Sequence, residues 1–146
     1  MDDLSFELID AAQNGKFEEV LLLIDKGADI NVQDRDGWTT LMYASIRKTN
    51  VAKILVDLGA NLNIKDRDGW NALMFASMAG NADVVTFLLK NGADIHAIDN
   101  RGRAASDIAA EYGKKNVVLL IKGYIQKQDL LPEVDGLDDS LVKLVL

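Results

Sequence analysis

Apolar positions between residues 71 and 91 recur at helical spacing in two blocks: Leu73, Phe75 and Ala76 mark the first, and Val84, Val85, Leu88 and Leu89 the second. Both blocks are rich in helix formers, so helices are expected over 71–79 and 82–91. Gly80-Asn81 breaks the pattern between them, and Gly92 stands where a left-handed helix end is wanted. Thr39 and Asn71 are placed to N-cap the leading helices, and the polar stretches before them are turn chemistry. The pattern predicts a unit of turn, helix, break and longer helix.

That unit repeats. Asp34-Arg35-Asp36-Gly37-Trp38 returns unchanged as Asp66-Arg67-Asp68-Gly69-Trp70 and more loosely as Asp99-Asn100-Arg101-Gly102-Arg103. Gly-Ala falls at Gly27-Ala28, Gly59-Ala60 and Gly92-Ala93, and a third series runs Ala11, Ala44, Ala76, Ala109. Successive copies lie 32 or 33 residues apart. Two helices of about ten residues cannot bury their apolar faces alone, so the units must stack into one continuous core.

The run Asp66-x-x-Gly69-x-Asn71-Ala72-Leu73-Met74-x-Ala76-Ser77-x-x-Gly80, followed by Val84-Val85-x-x-Leu88-Leu89-x-x-Gly92-Ala93-Asp94-Ile95, resembles the ankyrin repeat. The resemblance spans about residues 4–125 in four units. It implies an all-α ankyrin-repeat solenoid of stacked helix-turn-helix units with short β-hairpin-like fingers. The expected organisation is an N-terminal capping repeat at 1–33, repeats at 34–65 and 66–98, a C-terminal capping repeat at 99–127, and an acidic, apolar tail at 128–146.

The chain departs from the family pattern where Thr-Pro-Leu-His is usual. It has Thr39-Thr40-Leu41-Met42, Asn71-Ala72-Leu73-Met74 and Ala104-Ala105-Ser106-Asp107. The pre-organised Pro at the first helical position and the hydrogen-bonding His are therefore absent, and Met in the His slot is expected to exchange a polar bridge for packing. The break in the second unit, Ser45-Ile46-Arg47-Lys48-Thr49-Asn50, lacks Gly and is one residue shorter, so a tighter turn is expected there.

Composition narrows the chemistry. The 146 residues are 49% apolar and 27% charged, which suits a packed core. Apolar runs such as 20–24 and 117–121 are far short of a membrane span. The acidic opening Met1-Asp2-Asp3 has no basic region of a secretory signal, so a cytoplasmic location is expected. There is no Cys and a single histidine, His96, which takes the repeat position of Asn31 and Asn63 and reads as a turn residue. The paired acids Asp34 and Asp36, and Asp66 and Asp68, lack the loop pattern of a calcium site. No catalytic group, metal or cofactor is nominated, and a non-enzymatic chain is expected.

Net charge is -7 overall, which speaks against a nucleic-acid backbone as partner. Its distribution is uneven: 1–33 carry eight acids against two bases, 34–127 ten acids against thirteen bases, and 128–146 five acids against one base. The resemblance implies that fingers and first helices line a groove for a protein partner. The residues so placed are Arg35, Asp36, Trp38, Arg47, Lys65, Arg67, Asp68, Trp70, Met78, Arg101, Arg103 and Tyr112. An excess of bases there suits an acidic, partly apolar segment. Two readings of Trp38 and Trp70 stand open: rings exposed as interface anchors, or rings folded onto their own fingers.

The expected function is a protein-binding module, an adaptor or inhibitor, with a monomer favoured. The alternatives are self-assembly through the tail, or binding of a small ligand or cation. The tail is expected to dock on the last helices or in a groove, with a short helix from Asp138 onward.

Overall fold

The computed structural model describes residues 2–130. The expected tail helix and the docking of residues 131–146 lie outside the described residues. Eight helices follow in pairs: α1 (Asp3–Gln13) and α2 (Phe17–Asp25), α3 (Thr40–Arg47) and α4 (Thr49–Asp57), α5 (Ala72–Ala79) and α6 (Ala82–Lys90), α7 (Ala105–Glu111) and α8 (Lys115–Leu130). The helices expected over 71–79 and 82–91 are thus present to within a residue at each end. The last helix runs to Leu130, past the expected end of the fourth unit at 127.

The stacking follows from where the apolar residues fall. α1, α3, α5 and α7 pack side by side in one row, and α2, α4, α6 and α8 in a second. Ala11, Ala44, Ala76 and Ala109 are fully buried, one per unit. A methyl group at that point lets neighbouring first helices approach closely, while Leu8, Leu41, Leu73 and Ile108 fill the layer between the rows. From the second row Val20, Leu55, Leu88 and Ile121 complete a core that runs through all four pairs. This is the continuous burial that no single pair could supply.

Backbone bonds at the helix ends show why the marker residues recur. The carbonyls of Ala11, Ala76 and Ala109 accept from the N–H five residues on, those of Lys16, Asn81 and Lys114, at 2.8–2.9 Å. Gly80 takes φ +72° to turn the chain there. In the second pair the connection is Lys48 alone, and Ala44 accepts from an N–H only four residues on, at 2.8 Å. The expected tight turn is present, made without glycine by Lys48 at φ -107°, ψ 66°.

Caps on the first helices follow the sequence reading and correct one part of it. Thr39 Oγ1 accepts from the Met42 N–H at 3.2 Å, and Asn71 Oδ1 from the Met74 N–H at 3.0 Å. Met42 nevertheless keeps a polar role, because its sulfur accepts the Thr39 N–H at 3.3 Å. In the last pair the Asp107 carboxylate does the same for the Ala104 N–H at 2.9 Å. Losing His from this slot therefore does not leave the bridge unmade in those two units.

Thr40 is less well served. It is fully buried at the first helical position, and its hydroxyl has no hydrogen-bond partner among the described residues. Thr39 already has the extended backbone that a following proline requires, at φ -92°, ψ 164°. Thr40→Pro is expected to stabilise the chain by about 1–2 kcal/mol, by removing the orphaned hydroxyl and restricting the unfolded chain. A thermal melt should show a rise of several degrees; a fall would mean that the ring does not fit.

Candidate functional site

Between the helix pairs the chain makes three fingers, each built on one aspartate. Asp34 Oδ1 accepts from the N–H groups of Asp36 and Trp38 at 3.0 and 2.9 Å. Asp66 Oδ1 does so from Asp68 and Trp70 at 2.9 and 2.8 Å, and Asp99 Oδ1 from Arg101 and Arg103 at 2.9 Å each. One oxygen of the side chain at this position satisfies two turn donors at once, which is why Asp recurs at the base of each finger. The acids expected to be turn chemistry are so for Asp34 and Asp66, while Asp36 and Asp68 point to the exposed edge.

Neighbouring fingers are tied together through the backbone. The Arg67 N–H donates to the Asp36 carbonyl at 3.1 Å, and the Asn100 N–H to the Asp68 carbonyl at 3.0 Å. Side chains reinforce the ties: Gln33 Nε2 donates to the Lys65 carbonyl, Lys65 Nζ to the Ile98 carbonyl at 2.8 Å, and Asn100 Nδ2 to the Arg67 carbonyl at 2.9 Å. One level down, Asn31 Oδ1 accepts from the Asn61 N–H and Asn63 Oδ1 from the Asp94 N–H. His96, the next in that series, is exposed. The three fingers form one bonded array.

The second oxygen of each finger aspartate is treated differently. Asp34 Oδ2 accepts the Tyr43 hydroxyl, and burial with that bond raises the phenol well above its usual range. Asp99 Oδ2 accepts from Trp70 Nε1 at 3.0 Å and pairs with Arg103 at 2.9 Å. Burial works against its charge, but the Arg103 and Arg101 N–H groups and the Arg103 guanidinium hold its carboxyl below the ordinary value. Asp66 Oδ2 has no donor among the described residues, and burial keeps its carboxyl above the ordinary value despite the Trp70 and Asp68 N–H groups.

These opposite directions predict opposite pH behaviour. The lowered carboxyl of Asp99 contributes stability that is present at neutral pH and lost as pH falls through its folded value. Asp66 ionises at a cost that is present at neutral pH and relieved as pH falls through its raised folded value. Asp99→Asn is expected to cost about 1–3 kcal/mol at pH 7, since it strips a charged partner from Trp70 and Arg103. Asp66→Asn should cost little or stabilise, because Asn keeps the accepting oxygen. Both differences from wild type should shrink toward pH 3 in urea titrations, the first from a loss and the second from a gain.

Trp38 and Trp70 are half-buried. Trp38 lies with its ring centroid 4.7 Å from Tyr43 and 4.3 Å from Phe75, and Trp70 lies 5.0 Å from Phe75. The rings have folded down onto the starts of the first helices and remain open along part of their surface. Buried Phe75 is wedged between the tryptophans of two successive fingers. The sequence pattern left that residue in the core and did not connect it to the fingers.

Of the other expected site residues, Arg35, Asp36, Arg47, Lys65, Arg67, Asp68, Arg101 and Tyr112 are exposed. Met78 is half-buried against the core. Arg103, placed on the groove by the sequence, is a paired cation. Its guanidinium is bound to Asp99 and to Glu111 at 2.6 Å and lies 5.7 Å from the Trp70 ring, so it braces the last finger. The bases presented outward by the fingers are therefore Arg35, Arg67 and Arg101, with exposed Lys65 tied by its ammonium to the Ile98 carbonyl. Beside Trp70, a recess of about 290 Å³ is lined by Asp68, Asp99, Asn100, Arg101 and Arg103.

No helix among the described residues is long and apolar enough to cross a membrane. Among curated proteins, the mitochondrial disaggregase of Homo sapiens is 44% identical over 43 residues, which is 30% of this chain and 6% of that protein. The chain thus matches a small part of that relative's length. A family model for ankyrin repeats, in three copies, matches residues 8–99, from within α1 to the base of the last finger. Ankyrin repeats are generally non-enzymatic modules for binding other proteins. The matched span covers more than half of the sequence and takes in the first three helix pairs and the first two fingers: the chain belongs to the ankyrin-repeat family.

Proposed function

We propose that this chain is an adaptor or inhibitor that holds an acidic, partly apolar protein segment across its fingers and first helices. Repeats at 34–65 and 66–98 and the finger of the capping repeat at 99–127 carry the surface, with 1–33 as the N-terminal cap. The observation that supports this reading is the exposure of Arg35, Arg67 and Arg101 on three fingers locked to one another by backbone bonds. Fingers whose backbones are already held need little reordering on binding, and arginines based at fixed intervals favour an extended partner with acids at matching intervals. The open parts of the Trp38 and Trp70 rings supply apolar area beside those charges.

The test is affinity capture with the wild-type chain beside an Arg35→Glu/Arg67→Glu/Arg101→Glu variant, both verified as helical by circular dichroism. A second control reverses Lys26 and Lys90, exposed bases near the ends of α2 and α6. A protein retained by wild type and by the control, but lost by the finger variant, is the expected result. Equal retention by all three would overturn the assignment of the surface. Substituting the tryptophans is a poorer probe, because both pack on the core.

A further inference from the structure

The last helix pair presents a face that the earlier pairs cover. Lys53, Thr86 and Leu119 occupy the same repeat position, two residues before the buried Leu55, Leu88 and Ile121. Lys53 and Thr86 are half-buried, and Lys53 Nζ lies 5.9 Å from the ring of Phe87 in the next pair. This position therefore faces the following unit. Leu119 is 70% exposed, the largest exposure among the large apolar side chains described. With Ala110, Gly113, Val118 and the stem of Lys115 it lines a mainly apolar groove of about 450 Å³.

We propose that residues 131–146 occupy this groove, in the place a further helix pair would take. The segment carries Glu133, Asp135, Asp138 and Asp139 against Lys143 alone, while Lys115 and Lys122 stand exposed on the helix bearing the groove. Leu137, Leu141 and Leu144 fall at the i, i+4, i+7 spacing of one apolar stripe. Reach is sufficient. From Leu130 back to Leu119 is about 16 Å along α8, and residues 131–137 extended span up to about 23 Å.

A second copy is the competing occupant. Its acidic first pair carries Leu22, 51% exposed, on α2. Tethering decides between them: a short linker holds the segment at an effective concentration of order millimolar, which a separate copy does not reach at micromolar protein.

The chain has no cysteine, so a single thiol reports on the groove without background. Leu119→Cys is made in the full chain, and again in a chain also carrying Leu137→Ser, Leu141→Ser and Leu144→Ser. Leu22→Cys, at the opposite end of the stack, is the control. Labelling by a soluble thiol reagent should be at least ten-fold faster at position 119 when the three leucines are replaced, and unchanged at position 22. Equal rates at position 119 in both backgrounds would overturn the proposal. So would protection at 119 that grows with protein concentration and survives the serine substitutions, since that result assigns the groove to a second copy.

Discussion

Phe75→Ala is expected to destabilise the chain by about 3–5 kcal/mol, a large share of the 5–15 kcal/mol typical of a folded domain. The ring is 3% exposed and touches the tryptophans of two fingers, with centroids at 4.3 and 5.0 Å. Its removal leaves a cavity that rigid backbone ties between fingers prevent from closing: the Asp36–Arg67 bond at 3.1 Å holds one finger to the next. Urea unfolding should show a lower midpoint with little change in slope. Tryptophan emission of the folded variant should shift to the red, because Trp38 and Trp70 lose the ring that shields them. A cost below 1 kcal/mol would mean that the fingers are not seated on this residue. That would also remove the reason for treating the finger array as rigid.

The second large effect is expected from Gly69→Ala. Gly69 has φ +80°, and a Cβ placed there would lie 2.7 Å from Asn100 Oδ1, 2.9 Å from Asn100 N and 3.1 Å from Asp99 Cα. The left-handed backbone alone costs an alanine roughly 1–2 kcal/mol. The side-chain oxygen of Asn100 can swing away, but its backbone nitrogen cannot without giving up the bond to the Asp68 carbonyl, worth about 0.5–1.5 kcal/mol. The total expected is about 1.5–3.5 kcal/mol. Gly102 is the matched control: its φ is +76°, yet nothing lies within 4 Å of an added Cβ. Gly102→Ala should therefore cost only the conformational part, about 1–2 kcal/mol. The difference between the two variants, read by thermal or urea unfolding, measures how closely one finger presses on the next. Equal costs would show that the array is loose.

Both predictions bear on the proposed binding surface. If fingers are clamped by Gly69 and seated on Phe75, the exposed arginines on them project from bases at fixed intervals. Loosening either contact should weaken partner capture even though neither residue is exposed.

The period of 32 or 33 residues, the helix pair within it and the stacking of pairs were legible in the sequence. They depend on patterns that local physics reads directly. A buried alanine once per unit, apolar residues at helical spacing and a glycine at each left-handed turn leave one economical arrangement. The turn role of Asp34 and Asp66 was legible for the same reason, since the donors they satisfy lie two and four residues away. The tight connection at Lys48 was announced by a missing residue.

Tertiary structure decided what depends on groups far apart in sequence. Trp70 and Asp99 are 29 residues apart, and their bond fixes the ring that the sequence left with two orientations. Arg103 looks like a free base until Glu111 and Asp99 are seen to claim it. Three aspartates that the repeat makes equivalent acquire different environments, because Tyr43, Trp70 and Arg103 have no counterpart placed alike in every unit. A repeated sequence specifies the geometry common to its copies through contacts within a unit. The site is built from the differences between copies, and those take effect only where one unit's side chains meet the next.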